Sequence, residues 1–258
     1  MSRKRSNKIF GLILRILVCG MAVMFMIPVL LTVLRSFYSE SSITLSNYYE
    51  LLFNCFPFYT LFWNSVLYSG VITIGTLIIC IPAAFAFKFA QFRGKHILYV
   101  IYIIIMMMPL QVMILPNYIG LRDLGILNTR LAIILPLIFS PFGVIVTHQY
   151  MREIDLSTME AARLDTNSVL KILINSVLPQ IKVCIAAVAL FVFADTWNIV
   201  EQPMLYLNTD KLRTLSALIM QGDHYNAEVM LPASVLFFIP IFLCYLLFHE
   251  DLKQGLKL

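Results

Sequence analysis

Apolar residues in this chain come in blocks too long for a water-facing domain to bury. Six of them run through 10–35, 64–88, 97–118, 130–150, 182–206 and 231–249. At a rise of about 1.5 Å per helical residue, each is long enough, or nearly so, to cross a hydrocarbon layer about 30 Å thick. An open sheet would strand backbone N–H and C=O groups in lipid, and barrel strands would alternate apolar and polar residues. Continuous runs therefore predict helices, and the fold class is an all-α membrane protein with six transmembrane helices. Charge agrees: only 13% of residues are charged, about half the share in soluble domains, and the mean hydropathy is +0.85.

Basic residues orient the spans. With six spans and both termini in the cytosol, Arg3, Lys4, Arg5, Lys8, Arg15, Lys88, Arg93, Lys95, Arg152, Arg163, Lys171, Lys182, Lys253 and Lys257 fall inside. Only Arg35, Arg122, Arg130, Lys211 and Arg213 fall outside, a bias of fourteen against five. The net charge of +5 thus reports topology, and no compact basic patch points to nucleic acid. The N-terminal apolar run continues to about Leu34 without a small-residue cleavage site, which fits an uncleaved signal-anchor span. The five cysteines and four histidines, His224 among them, are scattered. None has metal-ligand or nucleophile spacing, so neither a metal site nor a catalytic residue is expected.

The outer loop after the first span is rich in Tyr, Phe and Trp and predicts a short interfacial helix. The inner loop 149–179 holds the stretch "STMEAARLD" at 157–165, charged and alanine-rich between two apolar runs. Ser157 and Glu160 have capping-box spacing, and Met159, Ala161, Ala162 and Leu164 supply apolar contacts. Asp155 and Glu160 complement the helix dipole at its N-terminus. After Asp165, a left-handed Asn167 would end the helix, and Ser168 would cap a second helix, "VLKILINSVL", that stops at Pro179. So short a helix is marginal alone in water, and small residues let another backbone approach closely. Docking of a cytosolic partner is the favoured reading, with a helix lying on the bilayer surface as the plainer one.

"MEAARLDTNSVLKILINSVLP" resembles the EAA signature of permease subunits in binding-protein-dependent ABC importers. Glu160, Ala161, Ala162, Asp165, Leu178 and Pro179 match it. "NSVLYSG", "AAFAFKFAQFRGK", "MMMPLQVMILPNYIGLRDLGILNTRLAIILP" and "FADTWNIVEQP" extend the resemblance to the carbohydrate branch, over roughly 64–203. The resemblance implies a type I importer fold and a single permease domain over 1–258. Within it, 1–63 hold the first span and outer loop. Residues 64–206 form the core with coupling loop 149–179, and 207–258 hold an outer loop, the last span and a cytosolic tail.

It also implies a multi-pass protein of a bacterial-type cell membrane, paired with a second permease subunit as a heterodimer. ATPase subunits and an extracellular solute-binding protein complete the assembly. The 157–165 helix would couple the ATPase to the spans through Ser157, Met159, Glu160, Ala161, Ala162, Leu164 and Asp165. Thr166 stands where the signature usually has glycine. No G-x-x-x-x-G-K-[ST] loop occurs, so the chain is expected to be no enzyme and to hold no cofactor, with ATP bound by the partner.

Ionisable groups inside a span are costly and face a cavity, a partner or one another. At about 100° per residue, Asp195, Asn198 and Gln202 share one helical face, beside Trp197, and form a possible translocation path. Glu201 is offset from that face. Asn64 and Gln111 suit helix–helix hydrogen bonds. Two other readings remain: a secondary transporter or channel using Asp195 and Glu201, or an ABC permease for a polar solute that is not a sugar.

Overall fold

The computed structural model describes residues 2–39, 42–221 and 227–255; His224, Lys257 and the end of the expected tail lie outside them. The chain is mostly helical. Helix α1 (Ser2–Ser36) leads into a hairpin of β1 (Tyr38–Ser39) and β2 (Ser42–Ile43), antiparallel with Tyr38 opposite Ile43. Next come α2 (Ser46–Tyr49), continued by a π-helical turn Glu50–Asn54, then α3 (Phe56–Phe89), α4 (Lys95–Met106), α5 (Leu110–Asp123), α6 (Leu131–Ile138) and α7 (Pro141–Met151). The rest are α8 (Leu156–Asp165), α9 (Val169–Ile172) with a π-helical turn Leu173–Val177, α10 (Lys182–Trp197), α11 (Glu201–Tyr206), α12 (Leu215–Met220) and α13 (Ala227–Gly255).

Among the described residues, four stretches are long and apolar enough to cross a membrane: Leu14–Ser36, Pro57–Phe89, Leu131–Met151 and Val229–Glu250. Two bent pairs bring the total to six if each is one span: α4 with α5, at 106°, and Val169–Val177 with α10, at 92°. The sequence reading of the third block, 97–118, as one continuous span is corrected here. Pro109 has no N–H and disfavours helical geometry at Met108, and it stands at the break, as the extended residue before α5. The fifth block, 182–206, is likewise divided, because α10 stops at Trp197 and α11 begins at Glu201.

Two compact units divide the chain: Met1–Phe58 with Gly222–Phe238, and Tyr59–Gln221 with Ile239–Leu258. In the first, the buried Asn47 donates from Nδ2 to the carbonyls of Ser36 (3.1 Å) and Tyr38 (2.9 Å), fixing the chain's exit from α1. The short helix expected in the loop after the first span is present as α2 and its π turn.

The second unit has an apolar core that includes Tyr68, Ile72, Ile133, Met151, Ile181 and Leu207, all fully buried. Small residues set how closely its helices cross. A Cβ on Gly75 would lie 2.6 Å from Ile138 Cγ2, and one on Gly143 would lie 3.1 Å from Thr76 Cγ2. Such contact suits a membrane interior, where packing rather than apolar burial draws helices together. Asn64 plays a part other than the expected one. Its Nδ2 donates to the carbonyls of Lys211 (2.7 Å) and Arg213 (3.1 Å). Tyr68 Oη donates to Leu212 O at 2.8 Å, and Ser65 Oγ accepts from Leu215 N at 2.8 Å. One end of α3 thereby straps down the segment that follows α11. Gln111 stays exposed.

Candidate functional site

Helix α8 holds the signature residues, and its start differs from the expected one. Asp155 occupies the N-cap in extended geometry and makes no side-chain cap hydrogen bond, so Ser157 lies inside the first turn and no capping box forms. Burial explains the shift. Ile154 precedes the cap and Met159 is the fourth helical residue, the spacing of a hydrophobic staple, and both sit in the core cluster. The staple draws the helix start back by two residues, and the Ser157–Glu160 pair then falls out of register.

The inner face of α8 is narrow. Met159 (6% exposed) and Ala162 (9%) are buried, and the helix packs on α9 and its π turn. Ser157, Glu160, Ala161, Leu164 and Asp165 all face outward, and Leu164 is 89% exposed. This ten-residue helix thus buries two of the seven expected coupling residues and leaves five exposed.

The turn after α8 is made by Thr166, and Asn167 is not left-handed. Thr166 is extended (φ −157°, ψ 141°), and its Oγ1 accepts from Ser168 N at 3.2 Å. Extended backbone needs no glycine, so the departure from the signature costs no strain. Ser168 caps α9 as expected, its Oγ accepting from Lys171 N at 3.5 Å.

A cavity of about 700 Å³ lies among α4, α5, α6, α7, α10 and α11. Asp195 and Gln202 both line it, although they stand on separate helices and not on one continuous face. The other two expected path residues do not. Trp197 is fully buried, edge-on to Phe62 (5.9 Å, 82°) and stacked on Phe193 (5.9 Å, 11°). Asn198 turns back on its own helix, donating from Nδ2 to Ala194 O at 2.7 Å, which satisfies a last-turn carbonyl. The sequence reading missed Asn117, Ser140, Thr196 and Tyr206, which also line the cavity. Each is a polar residue in or beside an apolar run, the only hint the sequence carries.

The profile of the family described as "Binding-protein-dependent transport system inner membrane component" matches residues 75–257. An arabinooligosaccharides transport system permease protein, AraQ of Halalkalibacterium halodurans, is 28% identical over 222 residues, 85% of this chain and 80% of that one. The sn-glycerol-3-phosphate transport system permease protein UgpE of Brucella abortus is 29% identical over 76% of this chain and 71% of its own. The lactose transport system permease protein LacG of Rhizobium radiobacter is 24% identical over 76% and 72%. Among solved structures, a chain of a bacterial ABC transporter that imports the acidic polysaccharide alginate superposes with a TM-score of 0.86. It is 23% identical, and the match covers 95% of this chain and 97% of that one. A chain of the MetNI methionine ABC transporter gives 0.59 at 17% identity, over 74% and 93%. With four to six apolar spans among the described residues, an importer-permease fold and a profile that covers most of its length, the chain belongs to the family of binding-protein-dependent transport system inner membrane components, the permease subunits of ABC importers.

Proposed function

We propose that this permease imports a carbohydrate, pairs with a second, related permease subunit, and receives its power stroke through α8 from a separate ATPase. The named sugar relatives support the substrate class, and a solute-binding protein outside would deliver the sugar. Both termini lie in the cytosol on this reading, which puts α8 and the turn between α3 and α4 on the ATPase side. The two compact units act as one permease domain.

One observation carries the coupling role. Met159 and Ala162 root α8 in the core, while Glu160, Ala161, Leu164 and Asp165 are left facing out. A rooted helix passes on a rigid-body push, and the outward residues supply an ion-pair partner, a flat spot and an apolar knob. Asp195 and Gln202 contribute to the translocation path. The test is affinity purification from gently solubilised membranes, native chain against Glu160→Lys plus Ala161→Trp. Loss of the ATPase with retention of the second permease is expected. Retention of both by the variant sinks the coupling role, and a native chain that comes down alone yet moves solute without ATP sinks the importer reading.

A further inference from the structure

Three polar groups of the cavity are already engaged within the chain. Thr196 Oγ1 donates to Val192 O (2.7 Å), Tyr206 Oη donates to Ile114 O (3.2 Å), and Ser140 Oγ accepts from Gly143 N (3.4 Å). The Asp195 carboxylate and the Gln202 amide have no hydrogen-bond or ion-pair partner among the described residues, and both face the cavity. Among the described residues no lysine, arginine or histidine lines it; the remaining wall is mostly aliphatic, aromatic and methionine side chains. Asp195, the one charged group that lines it among the described residues, therefore sets the sign of the field in a space with apolar walls, where charges are poorly screened.

Resting on the reading of this cavity as part of the path, we infer that Asp195 is a charge filter. It favours neutral polyhydroxylated or amino-substituted solutes and opposes anionic ones such as phosphorylated or uronic acid sugars. The chemistry is direct. A sugar hydroxyl donates to the carboxylate and accepts from Gln202, and a cationic amine pairs with Asp195. A phosphate or second carboxylate would enter a low-dielectric space that holds a like charge and no counter-cation. The filter sets this chain apart, in the charge of its solute, from the relative named for sn-glycerol-3-phosphate and from the alginate importer.

The test needs no knowledge of the solute. Ser140→Cys is introduced into the assembled importer in nanodiscs, and the new thiol is modified during ATP turnover by a cationic or an anionic methanethiosulfonate. Protein without the substitution corrects for the native cysteines, and Asn117→Cys serves if Ser140→Cys impairs assembly. The ratio of cationic to anionic rates is expected to fall about tenfold when Asp195→Asn is added, as befits removal of one nearby charge. An unchanged ratio overturns the filter and leaves the path standing, as when a basic group of the partner permease already neutralises Asp195. A thiol inert to both reagents at both positions overturns the filter together with the path.

Discussion

Rooting α8 through Met159 has a consequence that can be worked out in numbers. Met159→Ala removes a side chain that is 6% exposed from a helix with only one other buried residue, Ala162. Truncating a buried methionine costs about 2–5 kcal/mol, and the exposed position of α8 lets the site partly collapse, so about 2–3 kcal/mol is expected. At about 1.4 kcal/mol per factor of ten, the open population of α8 rises roughly 30- to 150-fold. Leu164→Ala is the control. At 89% exposed, Leu164 has almost no contact to lose within the chain. Hydrogen exchange on the purified permease reads both: amides of 159–165 should speed up in Met159→Ala and stay unchanged in Leu164→Ala. In the assembled importer both variants should lower solute-stimulated ATP hydrolysis, the first through a slack lever and the second through a lost contact. Native-like protection of α8 in Met159→Ala would refute the claim that this residue roots the helix.

Other substitutions probe other joints. Gly75→Ala places a methyl 2.6 Å from Ile138 Cγ2 and should cost about 1–3 kcal/mol, seen as a lower Tm in detergent; adding Ile138→Ala should restore part of it, and strict additivity would contradict the close crossing. Thr166→Val removes the acceptor for Ser168 N and should destabilise the turn by about 1 kcal/mol, whereas Thr166→Ser should not, by thermal unfolding. Thr166→Gly should likewise destabilise it, since the residue is extended and gains nothing from glycine's freedom; a stabilised Thr166→Gly would count against this account. Asn64→Leu strands two carbonyls of the 211–213 segment and should raise hydrogen exchange and protease cleavage there before any global unfolding.

The spans were legible because lipid demands continuous apolar helices, a requirement met residue by residue. Their breaks were not. Pro28 and Pro82 lie inside unbroken helices, while Pro109 marks a 106° bend, so the same residue type reads differently according to what can satisfy the freed backbone. The capping box of Ser157 and Glu160 had the right spacing and was overruled by the burial of Ile154 and Met159, a tertiary effect that a local pattern does not contain. In the candidate path, Asp195 and Gln202 were found through a periodicity that the chain abandons at Trp197. They reach one cavity because the break re-aims Gln202 and not because the helix continues. Ser140 and Asn117 come from other helices, and only packing brings them in.

The strap made by Asn64, Ser65 and Tyr68 grips backbone atoms of 211–215 and none of their side chains. Shape and sequence are thereby uncoupled at the exposed end of that segment. Its path is inherited from three residues of α3; Thr214 and Leu215 are fully buried, and Lys211 is the exposed side chain left open to change. If Lys211 faces the solute-binding protein, a lineage could retune recognition of that receptor there without renegotiating the fold beneath it.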